Sequence, residues 1–110
     1  MQGIGVDIVE FADVRKARFL ARVAEFILSG GEQSEFRASA DRVQFLASRM
    51  AAKEAVIKAF PHPISFQDFE VRKNAEKPVI YFFDSSHRAY RVLVSISHSQ
   101  EHAVGMASVA

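Results

Sequence analysis

The strongest constraint on the fold is a long helical pattern in the middle of the chain that two prolines bring to an end. Between residues 41 and 60, apolar side chains recur every three, four or seven residues, and alanines fill much of the rest. Ser39 or Asp41 is suited to cap the start, while Pro61 and Pro63 stop the helix because proline disfavours helical geometry in the residue before it. We therefore expect one long helix with an apolar stripe. The stripe comprises Val43, Leu46, Met50, Ile57 and Phe60.

Short strands flank this helix in the sequence. Residues 3–9 alternate between apolar and small or polar side chains, which predicts a strand before the helix. After the prolines, runs rich in β-branched and aromatic residues predict several more. A strand, then helices, then consecutive strands is typical of an α+β fold with a mostly antiparallel sheet, and 110 residues suit a single domain over 1–110. The later strands are predicted at residues 66–71, 79–83, 92–96 and 103–109, with turns at 74–78 and 97–102.

The segment between the first strand and the long helix is predicted to be one amphipathic helix from Phe11 to Leu28. Gly30 and Gly31 are expected to end it, and residues 32–40 to form a short helical turn or loop. The outward side of the helix carries four cations, with Asp13 as the only acid among them. The apolar side consists of Phe11, Val14, Ala17, Ala21, Ala24 and Leu28, and the cations are Arg15, Lys16, Arg18 and Arg22.

The composition narrows the functional classes. A net charge of +1 supplies no general attraction to nucleic acid or to anionic membranes. The apolar start of the chain is only one strand long and is interrupted by Asp7 and Glu10, so we expect neither a signal peptide nor a membrane span. The absence of cysteine excludes disulfides and thiolate metal sites and fits a cytoplasmic protein. Patterns for a P-loop, a dinucleotide-binding loop or a nucleophile elbow are absent, which argues against those enzyme classes.

Two carboxylates are the first candidates for chemistry. Asp7 shares a strand face with Gly3 and Gly5, which leave space for something bulky to approach; alternatively, Asp7 meets solvent or a backbone amide at a strand end. Glu54 lies beside the apolar stripe of the long helix and needs a compensating partner, which is a metal, a donor or simply Lys58 four residues later. Two carboxylates on separate elements, completed by water and phosphate, are what Mg²⁺ usually receives from a protein.

Several cations and one histidine extend this candidate site. Arg49, Lys53 and Lys58 share the long helix, where they either face a phosphate-rich ligand or form a solvated surface. His98 follows a strand among small hydroxyl residues, and it either hydrogen-bonds a phosphate or is an inert residue at a hairpin tip. Charge and spacing leave both alternatives open.

Five sequence blocks together resemble the holo-acyl-carrier-protein synthases, which are 4′-phosphopantetheinyl transferases. The most specific block is the long helix from Phe45 to Phe60, which contains the run Arg49-Met50-Ala51-Ala52-Lys53-Glu54-Ala55. The resemblance spans nearly the whole chain and implies that family's α+β fold. The other matching blocks are Gly3-Ile4-Gly5-Val6-Asp7-Ile8-Val9-Glu10, Ser95-Ile96-Ser97-His98-Ser99 with Ala103, Phe66-Gln67-Asp68-Phe69-Glu70-Val71, and Lys77-Pro78.

The resemblance implies a reaction and a set of roles. Asp7 and Glu54 are expected to hold Mg²⁺ against the pyrophosphate of coenzyme A, and Lys58 to contact its phosphates. A carrier-protein serine would attack the β-phosphorus and release 3′,5′-ADP, with either Glu54 or metal-bound water assisting deprotonation. The remaining residues implied to lie near coenzyme A are His98, Arg49 and Lys53.

The resemblance also implies partners. An acidic acyl carrier protein, of fatty-acid or polyketide synthesis, is expected to dock on the basic helix through Arg15, Arg18 and Arg22. Members of the family are typically homotrimers with sites between subunits, an arrangement that would give the glycine face of the first strand a neighbour. No nucleic acid and no membrane is expected as a partner.

Four departures from the family pattern leave an alternative function open. The connection Pro61-His62-Pro63-Ile64 is short where the family has a glycine-rich loop near the nucleotide. Asp13 stands where the family has an arginine, and Glu76 stands where it usually has a glycine. The segment of residues 84–90 is also short. A homologue that binds coenzyme A or a carrier without turnover is therefore the main alternative, ahead of a nucleic-acid-binding module that uses the basic helix.

Overall fold

One long helix carries the fold. The computed structural model describes residues 3–110, except for the side chain of Ala17. The first two residues of the predicted domain, and the predicted place of Ala17 on the apolar side of its helix, lie outside the described part of the chain. The elements are β1 (Gly3–Glu10), α1 (Phe11–Val14), α2 (Ala17–Ile27), α3 (Gly30–Ala38), α4 (Arg42–Ala59), β2 (Phe69–Asn74), β3 (Lys77–Phe82), β4 (Val92–His98) and β5 (His102–Val109). Within this part of the chain, no helix has the length and apolar character needed to cross a membrane.

Helix α4 forms where the sequence predicts it. The Asp41 side chain caps its start by accepting a hydrogen bond of 3.0 Å from the backbone amide of Gln44. The helix ends at Ala59, just before Phe60 and Pro61. Its buried face includes Leu46, Ala47, Ala51, Ala55, Val56 and Ala59, which contact apolar clusters on both halves of the helix.

All described strand pairs are antiparallel, as predicted. β5 lies between β1 and β4 in a three-stranded sheet, and β2 and β3 form a separate pair. The β2–β3 turn is tight because Ala75 and Glu76 both adopt left-handed backbone angles, with φ of 50° and 68°. In the main sheet, Asp7 lies opposite Gly105, and His98 opposite Ala103. This register sets where the two candidate site residues emerge.

The glycine face of β1 is covered by the chain's own helix. A side chain at Gly3 or Gly5 would overlap the carbonyl oxygens of Ala59 and Ala55, and one at Gly105 would overlap that of Ala51. The glycines therefore allow the sheet to approach the backbone of α4 closely. The expectation that a neighbouring subunit fills this face is wrong, because helix α4 occupies that space.

The opposite face of the three-stranded sheet is apolar and exposed. Alternation along a strand usually places the apolar residues in the core, but Ile4, Val6 and Ile8 of β1 are 56%, 59% and 62% exposed. Leu93 of β4 and Met106 of β5 continue the same face and are also exposed. A contiguous apolar sheet face of this kind marks an interaction surface.

The segment predicted as one helix is broken into pieces. The chain turns at Arg15 and Lys16 between α1 and α2. Gly30 and Gly31 begin helix α3 instead of ending the preceding helix, because Ser29 and Glu32 form a reciprocal capping box. Helix α3 therefore replaces the predicted short turn or loop.

Candidate active site

Asp7 and Lys58 meet where β1 crosses the end of helix α4. The Lys58 ammonium donates to Oδ1 of Asp7 at 2.9 Å and to the carbonyl oxygen of Val6 at 3.1 Å. The Asp7 side chain is 20% exposed and that of Lys58 is 50% exposed. The pair is therefore accessible, and an exposed ion pair of this kind contributes only about 0.2–1 kcal/mol to stability.

Glu54 lies one turn before Lys58 on the same helix and is half-buried. Burial raises the pKa of its carboxyl group, the negative charge of Asp7 raises it further, and Lys58 opposes both effects. Among the residues described, no side chain or backbone amide forms a hydrogen bond or ion pair with the Glu54 carboxylate. Lys58 pairs with Asp7 instead, so the structural alternative of a direct Glu54–Lys58 ion pair is not formed.

The cavity around these residues is strongly acidic. It has a volume of about 480 Å³, and Asp7 and Glu54 line it together with Glu10, Asp13 and the single lysine Lys58. Excess negative charge around two coupled carboxylates favours a bound cation. No cluster of three or more potential ligands occurs in residues 3–110. A two-carboxylate set suits Mg²⁺, which keeps several waters and completes its shell with substrate phosphates.

His98 lies in a different part of the surface. It lines a cavity of about 400 Å³ with Arg49, Lys73 and Gln44, whereas Asp7 and Glu54 line the acidic cavity. The amide nitrogen of Gln44 lies 2.8 Å from Nε2 of His98 and donates to it when that ring nitrogen carries no proton. Sequence reasoning missed Gln44, because its contact with a residue 54 positions away depends on how the β4–β5 hairpin meets helix α4.

Arg49 and Lys53 are tied to a buried carboxylate. The Lys53 side chain has no exposed surface, and its ammonium donates to Oε1 of Glu32 and to the carbonyl oxygen of Ile27, both at 2.8 Å. Arg49 donates to Oε2 of Glu32 at 3.3 Å and to the carbonyl oxygen of Val71 at 3.1 Å.

The expectation that Lys53 contacts coenzyme A is therefore corrected. Burial lowers the pKa of its ammonium, although the charge of Glu32 opposes that effect. A fully enclosed ammonium with internal acceptors cannot reach a ligand at the surface. Arg49 differs, because one edge of it reaches the cavity of His98. Glu32 lay in the predicted turn or loop, yet the spacing of Ser29 and Glu32 is a capping-box signal that could have located it.

The predicted basic surface is exposed. Arg15, Arg18 and Arg22 all lie on the outside of the α1–α2 segment, and none forms an ion pair with the rest of the described chain. Phe19, on the same segment, is 36% exposed. An uncompensated cationic face with an exposed aromatic side chain is suited to bind an acidic protein.

The short connection after α4 is held by aromatic contacts. The His62 ring lies 5.0 Å from the ring of Phe60, which in turn lies 4.8 Å from that of Tyr90, measured between centroids. His87 packs on Phe60 at 5.6 Å. His62 thus joins the Pro61–Pro63 segment to this aromatic group.

Comparison with known proteins confirms the resemblance. Residues 3–107 match the model of the 4′-phosphopantetheinyl transferase superfamily. The chain is similar to a holo-[acyl-carrier-protein] synthase of Chlorobaculum parvum, with 39% identity over 96% of each chain. A crystal structure of the synthase from Neisseria meningitidis superposes with a TM-score of 0.89 at 28% identity, covering 100% of this chain and 98% of the other.

A second solved structure links the fold to a ligand. The synthase from Bacillus anthracis, described as a complex with coenzyme A (3′,5′-ADP), has a TM-score of 0.82 and 34% identity, covering 98% of this chain and 94% of the other. These matches confirm the predicted α+β fold. Both the sequence over nearly its full length and the arrangement of sheet and helix show that this chain belongs to the 4′-phosphopantetheinyl transferase superfamily.

Proposed function

We propose that this chain transfers the 4′-phosphopantetheine group from coenzyme A to a serine of an apo acyl carrier protein and releases 3′,5′-ADP. The observation that carries the proposal is the pair of coupled carboxylates, Asp7 and Glu54, with Lys58 beside them in an acidic cavity. The named activity of the relatives and the coenzyme A complex of one of them support it.

Each site residue has a role in this reaction. Asp7 and Glu54 would hold Mg²⁺, which neutralises charge on the phosphate oxygens when bound. Lys58 is placed to exchange its contact with Asp7 for a phosphate oxygen. The serine oxygen forms a bond to the β-phosphorus, and the anhydride bond breaks with its electrons leaving on 3′,5′-ADP. The serine proton passes to Glu54 or to a water in the cavity.

We further propose a homotrimer with sites between subunits. The exposed apolar sheet face, with Ile4, Val6 and Ile8 of β1 beside Leu93 and Met106, supports association. The separation of the His98 cavity from the acidic cavity supports shared sites, because a neighbouring subunit could bring one chain's His98 and Arg49 to another chain's carboxylates. Size-exclusion chromatography with light scattering tests the trimer.

The partner we propose is an acidic, helical carrier protein. Arg15, Arg18 and Arg22 would contact its acidic side chains, and such charge complementarity mainly accelerates and orients encounter. Asp13 adds one repulsive charge beside these cations, and this can restrict which carriers are accepted. We place the reaction in the cytoplasm, which the cysteine-free composition fits.

Intact-mass spectrometry tests the proposed reaction. Apo carrier protein is incubated with this protein, coenzyme A and Mg²⁺, with an EDTA-treated sample as the control. We expect a single phosphopantetheine addition that EDTA abolishes. Coenzyme A binding without any addition to several carriers would instead favour a non-catalytic homologue, for which the short Pro61–Pro63 connection is the supporting observation.

A further inference from the structure

The Lys58 ammonium holds one of the two carboxylates that are proposed to bind the metal. It donates to Oδ1 of Asp7 at 2.9 Å and to the carbonyl oxygen of Val6 at 3.1 Å. β1 is an edge strand of the described three-stranded sheet, so a carbonyl group on its outer edge is free to accept from a side chain. Lys58 is therefore fixed between a side-chain acceptor and a backbone acceptor on the same strand.

The two carboxylates differ in how they are engaged. Burial and the negative charge of Asp7 both raise the pKa of Glu54, so the two charges act on each other. Lys58 opposes this effect, yet its ion pair is with Asp7. No donor among the described residues contacts the Glu54 carboxylate. Glu54 is thus open to a cation, whereas Asp7 already holds one.

A metal ion and the Lys58 ammonium compete for Asp7. Mg²⁺ binds carboxylate oxygens at about 2.0–2.1 Å and demands near-ideal octahedral geometry. The ammonium lies 2.9 Å from Oδ1 of Asp7, so it would stand next to a metal ion on the same carboxylate, and the two positive charges would repel each other. Mg²⁺ therefore binds both carboxylates well only when Lys58 leaves Asp7.

The contact between Lys58 and Asp7 is easily exchanged for another. The Lys58 side chain is half exposed, and exposed ion pairs contribute little because water competes for both partners. A lysine also carries its charge on a flexible stem and requires no fixed arrangement of acceptors. A pyrophosphate, with several anionic oxygens, is a suitable new partner for this ammonium.

We propose that the Lys58–Asp7 ion pair is an autoinhibitory contact that couples the binding of Mg²⁺ to the binding of the coenzyme A pyrophosphate. Without phosphates, Lys58 stays on Asp7 and weakens metal binding; with them, it moves to a phosphate oxygen and frees Asp7. Because coupling between two ligands is reciprocal, Mg²⁺ strengthens coenzyme A binding by the same factor. This inference rests on the proposed function, in which Asp7 and Glu54 are the metal ligands.

A purely electrostatic effect of Lys58 predicts a different result. Lys58 is the only lysine or arginine among the described residues that line the acidic cavity. Removing its charge would strengthen Mg²⁺ binding even if the ammonium never left Asp7. Such an effect would be present with and without coenzyme A. Competition for Asp7, in contrast, disappears once the phosphates hold Lys58.

Calorimetric titration of Mg²⁺ into Lys58→Met and into the unmodified protein tests the inference. Each is titrated alone and with saturating coenzyme A, with the binding of Mg²⁺ to free coenzyme A subtracted. Alone, the variant should bind Mg²⁺ about fivefold more tightly, which is the upper limit for an exposed ion pair. With coenzyme A, the two affinities should agree within about twofold. Lys16→Met is the matched control, because Lys16 is exposed and does not line the cavity, and it should behave as the unmodified protein.

The outcomes separate this inference from the proposed function. Equal Mg²⁺ affinities without coenzyme A overturn the inference alone, and so does the same gain with and without coenzyme A. Failure of the unmodified protein to bind Mg²⁺ even with coenzyme A removes the metal site on which both proposals depend.

A crystal structure of the unmodified protein with Mg²⁺ and coenzyme A is the second measurement. It decides the question if Lys58→Met binds too little coenzyme A for the second titration. We expect the Lys58 ammonium to contact a phosphate oxygen and to have left Oδ1 of Asp7. A retained contact with Asp7 beside the bound metal would contradict the inference.

Discussion

Glu32 of helix α3 and Glu54 of helix α4 have opposite surroundings. Glu32 is 1% exposed, and Lys53, Arg49 and the backbone amides of Ser29 and Val71 all donate to it. Glu54 is half-buried with a raised pKa and no donor in the described structure. A buried charge with all its partners inside the chain belongs to the fold, whereas a desolvated charge without partners is available for a ligand.

Removing the Glu32 charge should have the largest effect. Glu32→Gln keeps the shape but leaves the buried Lys53 without its counter-charge and Arg49 with only the exposed Glu35, and breaking a buried pair costs about 3–5 kcal/mol. Urea denaturation followed by circular dichroism measures the loss. Glu35→Gln is the control, because Glu35 also contacts Arg49 but is 54% exposed and should cost under about 1 kcal/mol. Equal, small losses in both variants would show that the Glu32 cluster is not a structural centre.

Removing the Glu54 charge should reduce activity and leave stability almost unchanged. Glu54→Gln takes away one carboxylate of the proposed metal pair without changing side-chain volume, so transfer should fall at least roughly a hundredfold. The free energy of unfolding should hardly decrease, since no described partner is lost. Intact-mass spectrometry measures the initial transfer rates of the variant and the unmodified protein. Urea denaturation of the same samples measures their free energies of unfolding. Transfer at the unmodified rate would remove Glu54 from the site.

The elements of this comparison differ in how far the sequence predicts them. Helix α4 and the strands follow from local periodicity, and Asp7 and Glu54 stand out as carboxylates among apolar or glycine neighbours. The pairing of Lys58 with Asp7 joins residues 51 positions apart and depends on how β1 packs against helix α4, which local pattern does not specify. Lys53 looked like a surface cation because nothing local shows that Glu32 folds against it.

The raised pKa of Glu54 predicts a pH dependence of stability. Because the folded state holds this proton more tightly than the unfolded state, stability falls as pH rises from the ordinary glutamate value of 4.5 through the raised pKa. Glu54→Gln removes this dependence, so its stability relative to the unmodified protein should increase across that window. Added Mg²⁺ should stabilise the unmodified protein above the window and affect the variant less. Thermal melting across that pH range, with and without Mg²⁺, measures both; a pH-independent difference would contradict the assignment.

The arginines differ in the same way as the two glutamates: one is buried with partners inside the chain, and the other is exposed without an ion-pair partner among the described residues. The change in KM predicted for the exposed arginine is the smallest of the expected effects. Arg49 is buried with internal acceptors, whereas Arg18 is exposed and forms no ion pair in the described part of the chain. Arg18→Glu should raise the KM for the carrier protein roughly fivefold with kcat unchanged, because exposed charges act mainly on encounter. Arg37→Glu makes the same charge change on helix α3 and serves as the control. The difference between the variants should shrink at high salt, since screening removes exposed charge interactions. Equal KM values at low salt would show that the carrier docks elsewhere.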